Sequence, residues 1–557
     1  MFISSEPRIL TAGDAIVEAL IANGIDAVYG LPGAQLYPLF DALARRADRI
    51  RTYSARHEQT CGYMAFGHAR STGRPGVFAV VPGPGVLNAG AALVTALATS
   101  TPVLCLTGQV PSAFLGRGRG HLHEIPDQLA TLRGLTKWAA RIERVEDAPA
   151  ILDEAFVRML SGRPGPVAVE IAWDTLGQSA PIRALGPATL PAPLAPSADA
   201  VEAAARLLVA AERPMIFLGT GARHAGDAVR ELAELLDAPV TAFRGGRGIV
   251  PESHPLGISA VAAHALWPET DALIGIGTRL ELPYMRWTGM MRLIDRPVAP
   301  PHLVRIDVDP EEMTRLVAHA PILADAETGT RALVAAVRRL AADRPARDGG
   351  ARRAVIAAAK TQARARIEGV QPQLGFLDAI RRALPDDGFL VPELCQVGFT
   401  SYIGFDVRRP RTYVSEGYQG TLGAGFPTAL GVKAAHPDAP VISVTGDGGF
   451  LFGVGDLATA VQEGLALVVV VFDNGAYGNV RRDQKTAFDG RVLGSTLTNP
   501  DFPALARAFG VDARTAITAA DLERELVSAL AARRPTVIHV PIEPDSEVSA
   551  WPFIHPR

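Results

Sequence analysis

The chain is poor in cysteine, nearly balanced in charge and free of long apolar runs, and each shortage excludes a class of protein. Its three cysteines, Cys61, Cys105 and Cys395, include no CxxC pair and sit among apolar or small neighbours. That excludes a disulfide framework and predicts reduced, buried thiols in a cytoplasmic protein. The formal net charge is only −3, and the frequent arginines are spread among acidic neighbours. Neither a nucleic acid nor a membrane surface is the partner this balance suggests. No apolar run approaches the ~20 residues that a membrane span needs. The first residues, Met1-Phe-Ile-Ser-Ser-Glu-Pro, lack a basic segment followed by an apolar one. The expectation is a soluble protein with no signal peptide.

What is present is length and apolar content. With 557 residues, 48% of them hydrophobic, the chain is too long for one core and should form three to four domains of about 150 residues. Two stretches read as linkers. Residues 177–199 are dense in Pro, Ala and Gly, and residues 341–353 carry Pro345 and Gly349-Gly350. Proline at this density blocks helix interiors and central strands alike. The expected units are residues 1–180, 195–340 and 365–557. In each, short β-branched runs alternate with helical patterns: strands near 27–29, 76–81, 103–107, 214–218, 238–241, 272–276, 303–307, 441–445, 467–472 and 536–540, with helices such as 12–23, 38–46, 60–69 and 85–98 between them. Continuous apolar strands separated by helices are the pattern of parallel sheets covered on both faces. The fold class expected is α/β, with three doubly wound parallel-sheet domains.

One segment carries chemistry on its own. Val441-Ile-Ser-Val-Thr runs as a strand into Gly446-Asp447-Gly448-Gly449, with a helix expected from about Gly455. Ligands in open α/β sheets gather at strand carboxyl ends, and free N–H groups of a Gly-rich turn favour an anion. Asp447 is the one carboxylate of that run, which suits a hard cation such as Mg²⁺ already bound to phosphate. The next strand ends in Asp473-Asn474-Gly475-Ala476, with Asn474 27 residues beyond Asp447. If the two strands are neighbours, Asn474 and the Ala476 carbonyl offer further oxygens.

This strand, Gly-Asp-Gly, helix, strand, Asn arrangement resembles the signature of the thiamine diphosphate enzymes, and the chain is similar to their acetolactate synthase branch, which also includes pyruvate oxidases and decarboxylases. The resemblance implies Mg²⁺ on Asp447, Asn474 and Ala476, and a diphosphate against Gly446, Gly448, Gly449, Gln396, Tyr477 and Gly478. In Glu416-Gly-Tyr-Gln-Gly420-Thr-Leu422, it implies that the Gly420 carbonyl accepts from the aminopyrimidine and that Leu422 wedges the cofactor into a bent shape. Arg56-His57-Glu58-Gln59 is similar to the element whose Glu bonds the pyrimidine ring nitrogen and promotes loss of the thiazolium C2 proton. That task suits a desolvated carboxyl group, so Glu58 is the catalytic expectation, with His57 as readily structural.

Three loops also match: Tyr29-Gly-Leu-Pro32-Gly-Ala-Gln, Val81-Pro-Gly83-Pro-Gly-Val-Leu-Asn88 and Thr107-Gly-Gln109. The resemblance places pyrimidine and substrate against them, with Gln109 facing the substrate. His123 is added as a proton donor flanking the pocket. It further implies a homodimer or homotetramer whose sites lie at the dimer interface, Glu58 of one chain serving cofactor held by Asp447 of another.

The chain departs from that branch in its details. Leu122-His123-Glu124 stands for Phe-Gln-Glu, and Asp483, after Arg481-Arg482, stands for an acceptor-specificity Trp. Gly257-Ile-Ser-Ala and Arg279-Leu-Glu-Leu replace the stretches that hold FAD. Flavin binding is therefore doubtful, although Gly219-Thr-Gly-Ala-Arg could border a nucleotide. Arg481, Arg482 and Arg279 could meet an anionic substrate or be ordinary surface charges. The leading expectation is decarboxylation of a 2-oxo acid followed by carboligation to a carbonyl acceptor. Simple 2-oxo acid decarboxylation, oxalyl-CoA or 2-hydroxyacyl-CoA lyase chemistry, and a non-catalytic nucleotide-binding homologue remain the alternatives.

Overall fold

A computed structural model describes residues 6–183, 186–287, 299–342 and 349–556. The start of the N-terminal stretch (residues 1–5), residues 184–185 of the first linker and Pro345 of the second lie outside the described residues. Three parallel sheets organise the rest. The first has six strands in the order Arg51–Ser54, Ala27–Gly30, Gly76–Val80, Val103–Gln109, Val167–Ala172, Trp138–Ile142. The central sheet orders Val240–Ala242, Pro214–Leu218, Ala272–Ile276, His302–Asp307, Ala320–Leu323, and the third Phe389–Pro392, Val441–Gly446, Val468–Asp473, Thr536–Pro541, Asp512–Thr515. Every pairing within them is parallel. Strands such as Val103–Gln109 and Val468–Asp473 are buried almost throughout, because helices cover both faces. Among the described residues, no helix is long and apolar enough to cross a membrane.

Two local expectations are corrected. Residues 179–182 of the first linker form a strand that pairs antiparallel with Arg8–Thr11, and residues from Gly349 to Ile367 are helical. Alternation of small and apolar residues concealed the first; the charged, alanine-rich run after the two glycines carries the helix through the second. A third correction touches the site. Asp447–Gly453, expected as a turn, is helical, while the helix expected from about Gly455 forms as Leu457–Gln462 after a 3-10 turn at Val454–Asp456.

The first and third sheets share one apolar cluster, in which Met64, Phe66 and Phe78 pack with Phe426, Leu430 and Phe450. Its seam is the crossing of helices Glu58–Thr72 and Gly425–Ala435. A Cβ on Gly431 would lie 2.0 Å from the Met64 carbonyl oxygen, and one on Gly67 would lie 2.2 Å from that of Thr428. The backbones meet this closely only because both positions lack side chains. The Arg56 N–H and the Thr60 hydroxyl donate to Asp456 at 2.7 and 2.5 Å, which ties the start of the first helix, where Glu58 sits, to the turn Val454–Asp456.

Candidate active site

Strands Val441–Gly446 and Val468–Asp473 are hydrogen-bonded neighbours, with Gly446 paired to Phe472. Their ends therefore lie side by side, and the structure brings Asp447, Asn474 and Ala476 together. The Ala476 N–H donates to Asp447 Oδ2 and to Asn474 Oδ1, both at 3.2 Å. Asp447 opens its helix, where N–H groups lack intrahelical partners and favour negative charge. Burial, together with the nearby Asp473 charge, pushes the Asp447 carboxyl above its ordinary range. Asp473 is buried as well, yet hydrogen bonds from His539 and Asn499 hold it low. A carboxylate oxygen, an amide oxygen and a backbone carbonyl are hard donors of the kind that holds Mg²⁺. Among the described residues, no group of three or more His, Cys, Asp and Glu could hold a metal.

The surrounding glycines stand where the neighbouring groups leave no room for a side chain. A Cβ at Gly448 would lie 2.5 Å from the Tyr477 ring, one at Gly449 2.1 Å from Glu393 Oε1, and one at Gly478 2.8 Å from Asn474 Nδ2. Gln396 opens the helix Gln396–Gly404 beside Gly478, and its buried Oε1 has no hydrogen-bond partner. The other end of that amide, the Nε2 donor on the Gly478 side, is the group that suits a diphosphate at this helix N-terminus, since Oε1 can only accept. Gly420 adopts φ +64°, and Leu422 is half-buried beyond it in a segment without regular structure.

A second cluster lies at the ends of the first sheet. Glu58 is the first residue of its helix; its Oε2 accepts from Asn88 Nδ2 at 3.0 Å, while His57 caps the helix by accepting from the Gln59 N–H. Gly83 precedes the helix Pro84–Ala98 at φ +60°, where a Cβ would meet the His123 carbonyl oxygen at 2.4 Å. His123 Nδ1 shares a 3.0 Å hydrogen bond with Gln35 Oε1. Pro32 lies in the loop after strand Ala27–Gly30, three residues before Gln35. Gln109 is buried and turned inward: its Nε2 is 3.5 Å from Glu170 Oε2, and its Oε1 accepts from the Val110 N–H. The hydrogen bonds of Glu58 and Asp447 thus belong to separate sets within one chain.

The arginines expected to meet an anionic substrate are occupied. Arg481 pairs with Asp545 at 3.2 Å; Arg482 pairs with Asp483 at 2.7 Å and donates to Asn479. Arg279 lies over the Tyr418 ring and 3.5 Å from Glu312. Sequence reading passed over Glu393, Asn499 and Glu547. Glu393, 3% exposed, accepts from the Gly423 and Gly425 N–H groups at 2.5 and 3.2 Å and from the Thr445 hydroxyl at 2.9 Å. Burial pushes its carboxyl up to about 6 against those bonds. Asn499 Nδ2 donates to Asp447 and Asp473, 2.7 Å from each. Glu393 was detectable as the first residue beyond a buried strand; Asn499 and Glu547 carry no local pattern.

This geometry gathers hard oxygen donors at two adjacent strand ends of an α/β scaffold, with a carboxylate-bearing helix start as a second element. Comparison with known families agrees. Residues 10–131 match the N-terminal TPP binding domain of thiamine pyrophosphate enzymes, 201–333 the central domain and 395–540 the C-terminal TPP binding domain. The chain is 35% identical to a probable 2-ketoarginine decarboxylase of Pseudomonas aeruginosa, over 93% of this chain and 92% of the relative. It is 32% identical to a probable acetolactate synthase large subunit of Methanocaldococcus jannaschii, over 98% and 94%, and 28% identical to the acetolactate synthase isozyme 1 large subunit of Escherichia coli, over 99% and 97%. The protein belongs to the thiamine diphosphate-dependent enzymes, in the group that contains acetolactate synthases and 2-oxo acid decarboxylases.

Proposed function

We propose that the protein decarboxylates a 2-oxo acid and joins the remaining carbon unit to a carbonyl acceptor, as a thiamine diphosphate- and Mg²⁺-dependent lyase and transferase. The observation that carries this is the convergence of Asp447, Asn474 and Ala476 at two adjacent strand ends. Bound there, thiamine diphosphate supplies the nucleophilic carbon and the electron sink for cleavage of the C1–C2 bond. The chain's own residues bind and orient. Asp447, Asn474 Oδ1 and the Ala476 carbonyl hold the ion, while Gln396, Gly448, Gly449, Tyr477 and Gly478 form the diphosphate cradle. Gly420 and Leu422 set the pyrimidine end. Glu58, steadied by Asn88, exchanges a proton with the ring nitrogen, and it does so for cofactor held by a second copy of the chain. Pro32, Gly83, Gln109 and His123 belong to the walls on the Glu58 side, with Gln109 acting through its contact with Glu170. The assembly is a homodimer or a tetramer of such dimers.

Carboligation and decarboxylation are redox-neutral, so this reaction uses no flavin electron acceptor. A cavity of about 480 Å³, lined by Thr220, Arg244, Thr278, Arg279, Arg411 and Tyr418, has room for a nucleotide, and turnover with and without added FAD tests whether one matters. A second reading, decarboxylation with a proton in place of the acceptor, is favoured by Asp483 at the acceptor position and by the name of the Pseudomonas relative. The test is CO₂ release from a panel of 2-oxo acids, including one with a guanidino side chain, with and without an aldehyde. A coupled hydroxyketone supports ligation and a free aldehyde supports the second reading. Absence of CO₂ from every 2-oxo acid overturns both.

A further inference from the structure

The stretch after the last strand, Thr536–Pro541, crosses the metal end of the third sheet and is tied down on both sides. The Ile542 N–H donates to the Asp473 carbonyl at 2.7 Å, and the Val548 N–H donates to that of Gln371 at 3.0 Å. Gln373 Nε2 donates to the Val548 carbonyl at 2.7 Å, and Trp551 Nε1 to Asn479 Oδ1 at 3.0 Å. Asp545 pairs with Arg481 at 3.2 Å and Lys485 at 2.7 Å. Between these anchors Glu547 faces inward, and its Oε2 accepts from Asn474 Nδ2 at 2.6 Å.

A side-chain amide has one face that donates and one that accepts, whereas an ionised carboxylate only accepts. Glu547 therefore selects the NH₂ face of Asn474 and leaves Oδ1 on the other side, where it meets the Ala476 N–H beside Asp447. Were the amide reversed, its NH₂ group would point at the cation. Gly478 leaves room for this orientation, since a Cβ there would crowd Asn474 Nδ2. The contact spans 73 positions of sequence and joins the strap to the site through one side chain.

We propose that Glu547 is a positioning residue, fixing the Asn474 amide so that Oδ1 is presented to the metal. The inference rests on the assignment of Asp447, Asn474 and Ala476 as the Mg²⁺ site. Residues that orient metal ligands typically contribute about 10–100-fold to metal affinity. Glu547→Gln keeps an acceptor oxygen for Asn474, whereas Glu547→Ala removes it.

The experiment is calorimetric titration of Mg²⁺ into the full-length protein saturated with thiamine diphosphate, for the wild type and both variants, alongside melting of each apo-protein. Expected are an apo melting temperature unchanged by either substitution, a rise of about 10–100-fold in the half-saturating Mg²⁺ for Glu547→Ala, and recovery of most of that loss in Glu547→Gln. Mg²⁺ affinity of Glu547→Ala within twofold of wild type overturns the proposal. So does a Glu547→Gln variant as weak as alanine, because charge alone would then account for the effect. Wild-type protein that binds neither ion nor cofactor overturns the site assignment itself, a result distinct from either.

Discussion

Replacing Glu393 by Gln changes one buried atom, and the structure says what that atom does. One carboxylate oxygen accepts from the Gly423 N–H, and the other from the Gly425 N–H and the Thr445 hydroxyl. An amide can match the first oxygen, but its NH₂ then confronts two donors. The Thr445 hydroxyl can rotate away; the Gly425 N–H cannot. A buried donor left unpaired costs about 1–3 kcal/mol, and loss of a bond to a charged acceptor adds a comparable amount. The turn at residues 423–425 should therefore open more easily by about 2–4 kcal/mol, which is roughly 30- to 1,000-fold in equilibrium. A chain of three sheets need not melt in two states, so the suitable assay is amide hydrogen exchange at Gly423 and Gly425 rather than a global melt. Leu422 adjoins this turn, so thiamine diphosphate affinity should fall alongside. Exchange within threefold of wild type at both glycines would refute the assigned role of Glu393.

Other consequences follow from packing and burial. At the helix crossing, Gly431→Ala puts a methyl group 2.0 Å from the Met64 carbonyl; overpacking of this kind destabilises by about 1–3 kcal/mol or more, and an unchanged melting temperature would contradict the close approach. His68, 4% exposed and hydrogen-bonded to the Tyr29 hydroxyl at 3.0 Å, is held by burial down to about 4. Since the unfolded chain takes up that proton near pH 6.5, the stability contribution is full above pH 6.5 and lost as pH falls towards 4, by about 3 kcal/mol. His68→Gln should flatten melting temperature against pH over that window, and an identical profile would count against the burial argument.

Much of the architecture was legible because parallel strands buried on both faces leave continuous Val- and Ile-rich runs, as in Val468–Asp473. Gly446-Asp447-Gly448 and Asn474 were legible for the same reason: each follows directly on such a run. The strand at 179–182 was hidden because it pairs with Arg8–Thr11 at the far end of its unit, and pairing is not a local property. Glu393 and Asn499 lie 54 and 52 positions from Asp447, and Glu547 73 from Asn474; they reach the site through sheet order and a strap that no periodicity announces. The inward turn of Gln109 onto Glu170 likewise depends on two strands that only the folded sheet makes neighbours.

The central claim is that Glu58 and Asp447 serve one site from two copies of the chain. Co-expression of Glu58→Gln and Asp447→Asn chains tests it without knowledge of the substrate, using hydrogen–deuterium exchange at thiamine diphosphate C2. Each variant alone should show no accelerated exchange. In random dimers half are mixed, and each mixed dimer carries one intact site, so about a quarter of wild-type exchange should return. Exchange no higher than in either variant alone would show that both residues act within a single chain and would contradict the account.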